Sequence, residues 1–124
     1  MSSYANGKFV GQSLFEGKVV LELGSGPGLG AFIAANWAKE VVLTDHMDLV
    51  LDLIASNIEK CNPRPADCKM LLAKLDWTLM NLGGGDGLWT IDVENSDRNK
   101  VDSMADKTFD VMIGTDVVYW PAML

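Results

Sequence analysis

The residues most able to do chemistry in this sequence are an acid, a run of alternating glycines and a second acid one strand later. Glu22 is followed by Gly24, Gly26, Gly28 and Gly30, four glycines in seven residues, directly after the apolar run Val19-Val20-Leu21. An apolar run that breaks into alternating glycines and then into an alanine-rich segment reads as buried strand, tight turn and helix. Glycine serves such a turn twice: it adopts backbone angles that are costly for other residues, and it leaves no side chain between the backbone and a ligand. The helix that follows offers N–H groups without intrahelical partners. A ligand-free joint is the plain alternative, and the density of glycine argues against it. Ser25 sits inside the turn. Asp45, 21 residues after Gly24, ends a second apolar run, Val41-Val42-Leu43-Thr44. A carboxylate there can accept from both hydroxyls of a ribose or cap the next helix, and the two roles are compatible. His46 and Met47 follow and can flank an aromatic base. Asp76-Trp77 ends a third apolar run. That pair can hold adenine, through a hydrogen bond from its amine and apolar contact from the indole; a core tryptophan beside a capping aspartate fits equally well.

The elements that must position these residues follow from periodicity. Strands are expected at about 18–23, 41–44, 69–75 and 109–115, with helices at about 28–38 and 47–60. In the first helix Leu29, Phe32, Ile33 and Trp37 share one face, while Ala31, Ala34, Ala35 and Ala38 allow close approach to a sheet. In the second, Val50, Ile54, Ile58 and Cys61 form the expected buried stripe, and Asn62-Pro63-Arg64-Pro65 ends it. Phe9, Val10, Leu14 and Phe15 suggest a short amphipathic turn or helix ahead of the first strand. Residues 78–108 differ in character: Gly83-Gly84-Gly85-Asp86-Gly87 and Glu94-Asn95-Ser96-Asp97-Arg98-Asn99-Lys100 read as a mobile insertion. A short helix is expected there near 99–105, and Leu88, Trp89 and Ile91 can add a strand or cover an apolar patch. The order strand-helix-strand-helix-strand-loop-strand makes one α/β domain over residues 1–124, with acidic or aromatic residues just past each strand. Open sheets of this kind bind ligands at those carboxyl ends.

Bulk properties narrow the classes. The chain has 124 residues, a net charge of −7 and a pI near 4.4. That balance argues against non-specific binding to nucleic acid or an anionic membrane. No apolar run approaches the roughly 20 residues of a membrane span, and the N-terminus lacks a basic-then-apolar signal pattern. Cys61 and Cys68 are too few for a disulfide framework, which fits reduced thiols and a cytoplasmic or nuclear setting. Two cysteines and one histidine make a metal site an unexpected feature.

The spacing around the turn, Glu22-Leu23-Gly24-Ser25-Gly26-Pro27-Gly28, resembles the first motif of Rossmann-like methyltransferases that use S-adenosylmethionine (E/D-x-G-x-G-x-G). It differs from the dinucleotide pattern G-x-G-x-x-G. Together with Thr44-Asp45, Leu75-Asp76-Trp77 and Asp116-Val117-Val118-Tyr119, preceded by Phe109-Asp110-Val111-Met112-Ile113-Gly114, it is similar to the methyltransferase-like protein-lysine methyltransferases over about 18–120. The resemblance implies a mostly parallel open sheet with strand order 3-2-1-4 and flanking helices. It implies S-adenosylmethionine as cofactor and a protein lysine as methyl acceptor. Glu22 and the turn residues Gly24, Ser25, Gly26 and Gly28 would meet the methionine part. Asp45 would lie at the ribose, Trp77 at the adenine edge, and Asp116 and Tyr119 at the mouth where the methyl group moves. The family continues for three more strands past the fourth, so this chain is expected to carry the cofactor half, with little catalysis of its own. Its fourth strand would then be an edge open to pairing. A module that binds cofactor or a partner without turnover, and a nicotinamide-dependent oxidoreductase, are the competing readings; the glycine spacing disfavours the second.

Overall fold

The computed structural model describes residues 4–5, 8–60, 67–75, 89–91, 100–103 and 107–115. Two short strands, β1 (Tyr4–Ala5) and β2 (Lys8–Phe9), pair antiparallel and lead into helix α1 (Val10–Phe15). Strand β3 (Val19–Leu23) then runs into the glycine turn and helix α2 (Leu29–Ala34). Strand β4 (Glu40–Asp45), helix α3 (Asp48–Lys60) and strand β5 (Lys69–Lys74) follow. Strands β6 (Trp89–Ile91), β7 (Lys100–Ser103) and β8 (Val111–Gly114) complete the set.

The sheet order is β7-β6-β5-β4-β3-β8. Its heart, β5-β4-β3-β8, is parallel, with Leu21 beside Val42 and Met112. These four are the strands expected from the sequence, and they stand in the order 3-2-1-4 of a Rossmann-like α/β fold. The antiparallel pair β6–β7 extends the sheet past β5. A strand over Lys100–Ser103 therefore replaces the helix expected near 99–105. The reason is non-local: β5 would otherwise present unpaired N–H and C=O groups along one side, which β6 takes up in part, and β7 then pairs with the edge that β6 leaves.

The core lies mainly on one sheet face. There Val20, Val41, Leu43, Met70 and Leu72 meet Phe15 of α1, four alanines of the α2 segment and Leu51, Ile54, Ala55 and Ile58 of α3. Ala31, Ala34, Ala35 and Ala38 are buried, as their small size predicts, so the backbone of this segment comes close to the sheet. Phe32 and Trp37 pack at its flank, whereas Leu29 and Ile33 point outward, at 69% and 48% exposure. Helical periodicity gives a shared face but not the direction it points, and here the alanines took the sheet. On the opposite sheet face Leu21, Val42 and Ala73 are buried beside Leu23, Leu71 and Phe109. The run Val111-Met112-Ile113 has the composition of a strand covered on both faces, yet Met112 is 60% exposed. Among the described residues β8 pairs on one side only, with β3. Its start is pinned there by Asp110, whose carboxylate accepts from the Val19 N–H at 2.8 Å while its own N–H donates to the Val19 carbonyl at 2.8 Å.

Candidate functional site

The glycine turn lies at the carboxyl ends of β3 and β4, between the two central strands of the parallel sheet. Gly24, Gly26 and Gly28 all have left-handed backbone angles, with φ of 56°, 53° and 90°. Side chains resist that conformation, which explains glycine at every second position. The turn closes through Gly28 N–H to the Ser25 carbonyl at 2.8 Å, and α2 starts when Phe32 N–H reaches the Gly28 carbonyl at 2.9 Å. A Cβ on Gly26 would meet nothing within 4 Å, so the backbone there faces open space. A Cβ on Gly28 would press on Phe32 at 2.9 Å and Leu43 at 3.0 Å. Gly26 thus leaves room above the turn, whereas Gly28 allows close packing beneath it.

Glu22 lies under this turn and is 1% exposed. The space it fills is made by Gly30, where any Cβ would run into its carboxylate. Burial pushes the Glu22 carboxyl above the usual carboxylate range, opposed by hydrogen bonds from the Ser25 hydroxyl and the Ala31 N–H. Its Oε1 has no hydrogen-bond partner among the described residues. A buried carboxylate oxygen without a donor is costly, so the site suits a ligand that brings a cation or a donor.

Asp45 stands at the end of the neighbouring strand. Its Oδ1 accepts from the N–H groups of His46 at 2.8 Å and Met47 at 3.3 Å, and its Oδ2 accepts from Gly26 N–H at 3.2 Å. The carboxylate is therefore held in one orientation, tied both to the glycine turn and to the start of α3. Its side chain keeps 11% exposure. Each carboxylate oxygen has more than one acceptor direction, so Oδ2 can receive a further donor from solvent or ligand. The His46 ring, mostly exposed, lies with Nδ1 3.4 Å from Asp45 Oδ1.

Ser25 and Thr44 stitch the two strand ends together. Ser25 N–H donates to the Thr44 carbonyl at 2.8 Å, Thr44 N–H donates to Ser25 Oγ at 3.1 Å, and Thr44 Oγ1 donates to the Glu22 carbonyl at 2.7 Å. Both residues are buried. Thus Glu22, the glycine turn and Asp45 form one connected unit, with His46 at its rim. Asp76, Trp77, Asp116 and Tyr119 lie outside the described residues. Among the described residues no group of three or more metal-binding side chains occurs, and no helix is long and apolar enough to cross a membrane.

A profile of the lysine methyltransferase family matches residues 2–124. The chain belongs to that family. Among solved structures, a Pyrococcus horikoshii protein described as a candidate RNA methyltransferase is 29% identical, with a TM-score of 0.40. That match covers 51% of the present chain and 32% of the other. The residues present fit the cofactor such a family implies. The unpartnered oxygen of Glu22 suits a cationic amino-acid group, the open side of Gly26 gives it room, and the fixed carboxylate of Asp45 suits a diol.

One residue that holds the turn goes unmarked in a reading of sequence alone. Asn57, on α3, donates its side-chain amide to the Pro27 carbonyl at 2.8 Å, across 30 residues of sequence. Only the fold brings that donor to the turn.

Proposed function

We propose that this chain binds S-adenosylmethionine across the glycine turn and serves methyl transfer to a lysine side chain of a protein. The observation that carries the reading is the pairing of Glu22 Oε1, buried and lacking a donor, with the oriented Asp45 carboxylate, on either side of a turn whose backbone is bare at Gly26. Glu22 would face the ammonium end of the methionine part, and Asp45 would accept from the ribose hydroxyls. When bound, the cofactor supplies a methyl group already activated by its sulfonium, so alignment is the larger share of what the protein contributes. Carried over from the family resemblance, Trp77 would meet the adenine edge, and Asp76 beside it would accept from the adenine amine. Asp116 and Tyr119 would accept hydrogen bonds from the incoming amine and aim its lone pair. A lysine amine has a reference pKa near 10.4, so it must lose a proton, which water can take, before it attacks.

Calorimetric titration with S-adenosylhomocysteine tests the cofactor reading. The chain should bind it, and Asp45→Ala should lose most of that binding while NAD gives no heat above dilution. A folded chain that ignores S-adenosylhomocysteine overturns the assignment, and one that prefers NAD replaces it with a dinucleotide site. The acceptor is read separately, by mass spectrometry of proteins incubated with the chain and isotope-labelled S-adenosylmethionine. Label confined to residues other than lysine would remove lysine as the substrate.

A further inference from the structure

Gly28 turns left-handed at the start of α2, and this separates Pro27 from the helix that follows. In an uninterrupted helix the Pro27 carbonyl would take the N–H of Ala31, four residues on. Here the turn at Gly28 shifts the start of the ladder, and the Phe32 N–H goes to the Gly28 carbonyl at 2.9 Å. The carbonyl left behind is taken by the side-chain amide of Asn57, at 2.8 Å, from the C-terminal third of α3. One donor from a distant helix therefore replaces the helix's own donor.

Asn57 is half-buried, between the core positions Ile54 and Ile58 and the exposed outer face of α3. Asparagine is a poor choice for a helix interior on propensity alone, so its presence there calls for a tertiary reason. We infer that Asn57 is a positioning residue for the cofactor site, fixing the Ser25–Gly28 turn from the side of α3 so that Gly26 and Glu22 stand ready for the ligand. This inference rests on the proposed S-adenosylmethionine site.

The role predicts that affinity and stability part company. Asn57→Ala removes the donor but installs a better helix former, so the melting temperature should hold or rise. The dissociation constant for S-adenosylhomocysteine should grow roughly three- to tenfold, the equivalent of one ordinary hydrogen bond. Asn57→Asp keeps the shape, cannot donate, and sets a carboxylate against the Pro27 carbonyl, so its loss should be at least as large. It also serves as the test if the alanine variant does not fold. The measurement is calorimetry of the full chain and both variants with S-adenosylhomocysteine, beside thermal melts without ligand. Weaker binding at unchanged or higher melting temperature supports the role. Wild-type affinity in a folded variant overturns it and leaves the cofactor site standing. Lower melting temperature with unchanged affinity reduces Asn57 to a structural contact. If the folded wild-type chain itself binds no S-adenosylhomocysteine, the cofactor reading falls and this inference falls with it.

Discussion

Glu22 is held where its ionised form is least welcome. Burial raises its pKa, and the Ser25 hydroxyl and the Ala31 N–H only partly offset that effect. A carboxyl whose folded pKa lies above its unfolded value binds its proton more tightly when folded. Its contribution to stability is therefore complete below the unfolded value near 4.5 and is lost as pH rises through the higher folded value. Glu22→Gln removes that titration. In the ligand-free chain its melting temperature should fall less than that of wild type between pH 4.5 and neutrality, leaving the variant the more stable of the two at pH 7. Binding should move the other way, because a carboxamide offers no charge to a cationic ligand. Loss of one charge-assisted hydrogen bond, about 1.5–3 kcal/mol, weakens S-adenosylhomocysteine by roughly ten- to a hundredfold. Paired melts and titrations across pH check both halves. A variant that melts like wild type at every pH would show that Glu22 is not strained by its burial.

At the scale of elements, the turn between β3 and α2 divides its glycines by task, and substitutions should separate them. Alanine at Gly26 meets no neighbour but keeps a left-handed backbone angle, a cost of about 1–2 kcal/mol. The variant should fold and bind S-adenosylhomocysteine poorly, because the new methyl group stands where the backbone was bare. Alanine at Gly30 strikes the Glu22 carboxylate and comes within 3.5 Å of Ile113. It should cost more stability than Gly26→Ala, since a buried acid must move, and melting curves of the two variants give the comparison directly. The strands β3 and β4 and the helix α3 were readable from sequence because each carries its own apolar period and sits next to a clear stop. The same holds for the glycine turn and Asp45, whose residue types are demanded locally. The strand β6 was readable only as one of two options for Leu88, Trp89 and Ile91, and β7 was expected as a helix, because what makes them strands is the sheet edge each one joins, not their own composition. The hydrogen bonds of Thr44 to Ser25 and of Asn57 to Pro27 span 19 and 30 residues, beyond the reach of any local pattern.

For the molecule as a whole, the site joins residues from two strands and a helix. Glu22 belongs to β3, Asp45 to β4 and Asn57 to α3, and all three converge on one turn. A ligand seated there binds the folded chain and not the unfolded one, because the unfolded chain does not bring these residues together. Mass action then fixes the gain: at a hundred times its dissociation constant, such a ligand adds about 2.7 kcal/mol. For a chain of this length that corresponds to a rise of roughly 10 °C in melting temperature. S-adenosylhomocysteine should produce this shift in the wild-type chain, and it should nearly vanish in Asp45→Ala. That substitution removes the acceptor proposed for ribose and also frees the N–H groups of Gly26, His46 and Met47. Asp45→Asn keeps one acceptor oxygen, so it should retain part of the shift and thereby separate the oriented turn from the lost charge. NAD at the same concentration serves as the control for a dinucleotide site. A melting temperature indifferent to S-adenosylhomocysteine up to millimolar concentration would mean that the convergence of β3, β4 and α3 serves packing alone.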